Sequence, residues 1–238
     1  MTTEFDFERY WQGKFERALD EIAGEDVRIA VLQSGETLSD QSPRAEVVAW
    51  SRQAMQRMEA RVDEGACRVI MTACACHYPP DGLQEIKAAY AASQNVDEAL
   101  AMLQAKFEIF LRQELNLDKG EIAAITARGW GLAGVHRGDT ILATKIPKSG
   151  NLKEYLAEND PEKKRQLYCH CPRVRTALSI NENLPPTYCY CGAGFYQGIW
   201  QEILQRPVEV EVMESVLMGG DVCTIAIHLN PLENYAQE

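Results

Sequence analysis

Long hydrophobic runs are missing from this chain of 238 residues. Its longest apolar stretches, such as 27–32 and 199–204, fall far short of the roughly 20 residues that span a bilayer, so no transmembrane helix is expected. Positive charge is scarce: 24 Lys and Arg stand against 35 Asp and Glu, a formal net charge of -11. Such a surface repels phosphate backbones and anionic lipid, which argues against nucleic acid and membranes as partners. The opening MTTEFDFERYW is acidic and aromatic, not basic and then apolar. It therefore lacks the pattern of a secretory signal or transit peptide, and the cytoplasm is the expected location. Signature motifs are absent as well. There is no GxGxxG after a strand and no GxxxxGK[ST], so the Gly129-Trp130-Gly131 run is not a phosphate loop, and GxSxG and HExxH do not occur. No repeat of fixed period occurs.

What is present is a globular composition, with 46% hydrophobic and 25% charged residues, enough for one or two domains with a sizeable core. Phe5, Phe7, Tyr10, Trp11, Phe15, Leu19 and Ile22 recur near helical spacing, as do Ala45, Val48, Ala49, Met55, Met58 and Val62. These predict two amphipathic helices in the first sixty residues, with a Pro near the start of the second. Two more helices are predicted over 81–90 and 96–115, the latter carrying Leu100, Leu103, Phe107, Phe110 and Leu111. A glycine-rich stretch over 129–139 then gives way to a predicted strand over 140–146. A soft boundary follows: a mainly helical region, 1–139, and a cysteine-rich domain, 140–238. The expected fold class is α+β, a helical N-terminal half packed on a C-terminal mixed α/β domain with an antiparallel sheet.

That sheet ends in a β-hairpin over 208–229, where Val208, Val210 and Val212 alternate with Glu209, Glu211 and Met213 ahead of an MGGD turn. A turn centred on Gly219 and Gly220 sets Val216 opposite Cys223 and Glu214 opposite Ile225. Glu214 and Cys223 then share the core face with the three valines. An inward carboxylate beside a cysteine reads as a pair gripping one cation; equally, Glu214 sits on a frayed hairpin and reaches water.

Eight cysteines in a chain of this length, expected in a reducing compartment, point to metal or thiol chemistry more than to disulfide staples. Six fall in CxC pairs: Cys74/Cys76, Cys169/Cys171 and Cys189/Cys191. Random placement gives roughly 0.3 such pairs, so the spacing is selected. Each pair is expected just before a helix, with Pro172 in a first turn and 192–205 helical, so that N–H groups and the helix dipole favour thiolate. Cys169/Cys171 and Cys189/Cys191 together read as a thiolate site for zinc, the ion suited to sulfur with a carboxylate or imidazole. An iron–sulfur cluster is less favoured, because such clusters usually take CxxC loops. Without metal, the pairs become redox-active dithiols.

The run from Cys191 and Gly194 through Glu214, the glycine turn and Cys223 followed by TIAIHL resembles the C-terminal signature of the 4-vinyl reductase domain family. The resemblance covers the last fifty to ninety residues, roughly. It implies a small α+β domain, commonly dimeric, that binds small molecules and in some members carries zinc on cysteines and a glutamate. Carried onto this chain, Cys191, Glu214 and Cys223 match three ligand positions. The family's further cysteine falls near Leu217, which cannot bind metal, so Cys189, Cys171 or Cys169 would replace it. The tail is also similar to aminothiazoline-carboxylate hydrolase-like proteins, and the whole chain to bacterial and archaeal proteins of unknown function with CHCP and CYCxAGF motifs.

Around the cysteines, His170 lies between two thiols and faces away from them in an extended segment, suiting substrate contact. Arg173, in a helix first turn where a cation gains nothing from the dipole, reads as a grip on an acidic ligand. Lys145 ends a strand and reaches toward the same pocket, or finds one of the many acids. Tyr190 belongs to an aromatic set that walls a ligand or packs a core. His77 and His136 read as turn and loop residues. His228 should face away from the cysteine side of its strand, and sequence assigns it no role. Two functions are carried forward. One is a zinc-binding, small-molecule-binding sensory or regulatory protein, a homodimer from its resemblance. The alternative is a metal- or thiol-dependent hydrolase of a small carboxylated heterocycle, with Cys74, Cys76 or His170 near the chemistry.

Overall fold

The structure, a computed structural model, describes residues 5–33 and 37–230, so the first four residues of the acidic opening segment lie outside it. Helix α1 (Phe7–Ala23) starts where the Asp6 side chain accepts from the Arg9 N–H, and buries one stripe that includes Trp11, Phe15 and Leu19. After α2 (Glu25–Leu32), Pro43 precedes α3 (Arg44–Glu59), which buries Val47, Trp50, Met55 and Met58. The Asp63 carboxylate then caps α4 (Glu64–Ala73) by accepting from the Ala66 N–H. The sequence pattern anticipates α1 and α3, whereas α2 and α4 escape it.

Further helices follow: α5 (Gln84–Ser93), α6 (Val96–Gln113) capped by Asn95, and α7 (Lys119–Ala127) with a capping box between Asp118 and Glu121. Strands β1 (Val135–Arg137) and β2 (Thr140–Thr144) form a short hairpin. The chain continues through α8 (Leu152–Ala157), α9 (Pro161–Tyr168), α10 (Pro172–Ser179) and α11 (Tyr190–Leu204) to β3 (Glu209–Glu214) and β4 (Thr224–His228). Pro172 takes the first turn of α10, where its missing N–H costs nothing. The fold is thus α+β, with a helical N-terminal half and a C-terminal four-stranded antiparallel sheet.

Sheet order is β1-β2-β4-β3, so the last strand is central. Its residues Ile225, Ala226 and Ile227 are all buried. Ile141, Ala143, Val210 and Val212 pair with Ile225 and Ile227 across the ladder and share one face. The register of β3 corrects the sequence expectation. A bulge between Val212 and Glu214 inserts Met213, so Glu214 pairs with Thr224 instead of Ile225 and leaves the valine face. Between the strands a 3-10 turn over Val216–Met218 ends at left-handed Gly219, in place of a tight two-glycine turn.

By contacts the chain divides into two discontinuous units. One comprises Met1–Cys76 and Cys169–Gly194, and the other His77–Tyr168 and Phe195–Glu238. The breaks at 76/77, 168/169 and 194/195 differ from the compositional boundary at 139/140. The first unit is helical, with α1 against α2 and α4 and α3 against α10; the second holds the sheet, α5 to α9 and most of α11. Among the described residues, no helix is long and apolar enough to cross a membrane.

Candidate functional site

Seven of the eight cysteines, including all three CxC pairs, fall in the first unit. What brings Cys74 and Cys191 together is a missing side chain. At Gly194 an added Cβ would overlap the Thr72 carbonyl oxygen and lie 2.8 Å from the Cβ of Ala75. The first turn of α11 therefore lies directly on the last turn of α4. In that position the Cys191 thiol is 3.5 Å from the Cys74 carbonyl oxygen, and the Trp11 indole N–H donates to its sulfur at 3.5 Å. Cys191 is half-buried and sits in the first helical turn, where backbone dipoles favour thiolate.

Cys74 is different. It caps the C-terminal end of α4, not the N-terminal end of a following helix, and its thiol donates to the Ile70 carbonyl at 3.3 Å. Burial pushes this thiol well above its usual range, the nearby Cys191 pushes the same way, and Arg173 and Lys14 oppose them. Cys76 is exposed. Cys171 is the residue before Pro172, and the Arg175 guanidinium fastens its coil by donating to the carbonyls of Cys169 (2.8 Å) and His170 (2.9 Å). The His170 side chain is exposed, and Cys189 occupies a 3-10 turn ahead of α11.

Beneath these thiols lies a buried charge network that sequence reading missed. Arg173 and Glu8 are both fully buried and bonded, Nε donating at 2.8 Å and Nη2 also donating to the same carboxylate oxygen. The guanidinium lies over the Trp11 ring at 3.9 Å and reaches the Tyr188 hydroxyl at 3.3 Å. Burial alone would lower the Arg173 pKa, but Tyr188 and Glu8 hold it above its ordinary value, with Cys171 adding to the effect. The carboxylate that Arg173 grips is therefore the chain's own Glu8, which also pairs with Arg44. Lys14, likewise buried, donates to the Ala75 carbonyl. Glu8, Trp11 and Lys14 follow one another at three-residue steps on the buried stripe of α1. Charges in core phase were the available signal. Tyr190 is buried, with the Arg68 guanidinium 5.2 Å from its ring.

Glu214, Cys223 and Lys145 belong to the second unit. Cys223 is buried, and burial raises its thiol, with Lys145 and the Val216 N–H opposing and Glu214 reinforcing. Glu214 folds back against Gly220 and accepts from the Asp221 N–H at 3.1 Å. Lys145 thus supplies a cation beside Cys223. Tyr168 ties the region together: its hydroxyl donates to the Lys145 carbonyl and accepts from the Cys223 N–H at 3.0 Å.

Among the described residues, no group of three or more His, Cys, Asp or Glu stands as a ready metal cage. The six proposed ligands divide: Cys169, Cys171, Cys189 and Cys191 lie in one unit, Glu214 and Cys223 in the other. Fold and thiols together define a cysteine-rich α+β protein with its CxC pairs gathered in one helical unit. A family model described as "Family of unknown function (DUF6144)" matches residues 153–233, about a third of the chain, covering the second and third CxC pairs and the hairpin. No curated protein and no solved structure matches the chain.

Proposed function

We propose that this protein is a thiolate-based binding protein whose first unit takes up zinc through its CxC cysteines and presents a small-molecule site beside them. The observation that carries this reading is the gathering of all three CxC pairs in that unit. Within it, Cys74, Cys171 and Cys191 lie close enough to the Arg173–Tyr188 pair to perturb its members or be perturbed by them. The Arg173 guanidinium and Lys14 ammonium oppose the burial that holds the Cys74 thiol protonated, and it is the deprotonated thiol that binds metal. Cys169 and Cys171 lie on the non-helical segment between α9 and α10, in the same unit as Cys189 and Cys191. The tail's likeness to 4-vinyl reductase domains supports the same ion, and it also underlies a homodimeric form and ligands that are small molecules. A cytoplasmic setting keeps the thiols reduced.

Cobalt substitution tests the proposal. Full-length reduced protein titrated with Co²⁺ should develop the intense near-ultraviolet charge-transfer bands of cobalt thiolate, and Cys191→Ser should weaken them; a titration with weak visible bands alone would refute thiolate ligation. One observation favours a second reading, a thiol-dependent hydrolase. The Cys191 sulfur sits in a helix first turn and accepts from the Trp11 N–H, an arrangement suited to a nucleophile. In that case a carboxylated thioester or heterocycle would acylate Cys191 in a metal-free sample, a covalent mass increase that the binding reading does not produce.

A further inference from the structure

His228, to which sequence assigned no role, closes the central strand of the sheet. It pairs directly with Thr140 on one side and Glu209 on the other, so the three side chains share a face. Glu211, two residues along β3, lies on that same face. The ring is largely buried, with 15% of the side chain exposed. Its Nδ1 lies 3.3 Å from the Thr140 hydroxyl oxygen. Its Nε2 is shielded from solvent and, among the described residues, has no hydrogen-bond partner. Yet a carboxylate oxygen of Glu211 is only 3.5 Å away.

A buried polar atom left unsatisfied beside a carboxylate calls for an explanation, and an ion between them is one. Two ligands about 2.1 Å from a tetrahedral zinc are about 3.4 Å apart, close to the observed separation. The opposite ring nitrogen fits as well. When Nδ1–H donates to Thr140 Oγ1, the Nε2 lone pair is free for metal, the arrangement that orients most metal-bound histidines. Glutamates 209 and 211 lie on an edge strand, where side chains can rotate. We infer that His228 Nε2 and Glu211 bind a divalent cation of the zinc type on this sheet face, with Glu209 turning in as a third ligand and water filling the remaining position. The site lies within the second unit and does not depend on the thiolate reading.

The test uses ¹⁵N-labelled, reduced full-length protein titrated with zinc chloride, observing the four histidine rings by long-range proton–nitrogen correlation while thiol reactivity is followed in parallel. The His228 Nε2 resonance should shift saturably. Glu211→Gln, at a half-exposed position that leaves the core intact, should weaken the response at least tenfold, and Thr140→Val should weaken it about 10–100-fold. Circular dichroism verifies that both variants fold. A His228 ring unmoved at millimolar zinc would overturn the site, as would an unchanged affinity in Glu211→Gln. Protected CxC thiols with an unmoved His228 would overturn this site and leave the thiolate proposal standing; a shifted His228 with fully reactive thiols would do the reverse.

Discussion

Replacing Gly194 with alanine should destabilise the protein, whereas the same change four residues later in the same helix should not. At Gly194 the new methyl would overlap the Thr72 carbonyl oxygen and stand 2.8 Å from both the Thr72 Cα and the Ala75 Cβ. All are well inside the contact distance of about 3.5 Å, and two belong to backbone. Relief requires moving the first turn of α11 away from α4. Overpacking of this kind costs about 1–3 kcal/mol, set against a gain of about 1 kcal/mol from the better helix former. At Gly198 nothing lies within 4 Å of an added Cβ, so the gain there is unopposed. The two variants should differ by about 1–3 kcal/mol, each kcal/mol moving the melting temperature by about 2–4 °C in a protein of this size. Thermal melts of both give the sign. Alkylation of Cys191 supplies a local readout, since displacement of α11 separates its sulfur from the Cys74 carbonyl and the Trp11 N–H. A Gly194→Ala variant that melts no lower than Gly198→Ala and alkylates no faster would refute the close approach.

Other expectations follow from the same contacts. Glu8→Gln strands the buried Arg173 charge and should cost about 3–5 kcal/mol, Arg173→Met leaves Glu8 its Arg44 partner and should cost less, and the double variant should recover part of the Glu8→Gln loss; urea denaturation of the full double-mutant cycle decides, and strict additivity would contradict the pairing. Tyr168→Phe removes a hydroxyl that serves both the Lys145 carbonyl and the Cys223 N–H, so a loss of about 2–4 kcal/mol is expected in the same assay, and a neutral change would argue against the bridge. Burial, followed by Glu59, Asp63 and Glu64, pushes the Cys67 thiol up to about 11. Because the folded state holds this proton more tightly than the unfolded chain, its contribution is intact below about pH 8.5 and is lost as pH rises toward 11. Stability against urea in wild type should therefore fall across that window more steeply than in Cys67→Ala; parallel profiles would remove the assignment.

How much of this was legible in the sequence depended on the range of the interaction. Local periodicity announced α1, α3, α6 and α11, because their apolar stripes are long and regular. Helix α2 has eight residues and α4 ten, too short for a stripe to stand out between polar neighbours. The hairpin was visible from alternation, but its register was not. Met213 looks like one more outward residue until the ladder places it in a bulge, and that single insertion moves Glu214 to the other face. The CxC spacing drew attention to six thiols that the fold gathers in one unit. It could not reveal that Arg173 meets Glu8 165 residues away, nor that Gly194 is small because α4 lies against it. Those are facts of tertiary packing, and the only trace of them along the chain is a pair of charges, Glu8 and Lys14, in phase with the buried face of α1.

The most direct test of the central claim is a metal and thiol measurement on native protein purified without an affinity metal column. Zinc content is set beside residue-by-residue alkylation read by mass spectrometry, before and after chelation. The account predicts bound zinc together with slow alkylation of CxC cysteines, Cys191 among them, and release of those same thiols when the metal is stripped. Protein that neither carries nor takes up zinc, with CxC thiols alkylating at the same rate before and after chelation, would contradict it.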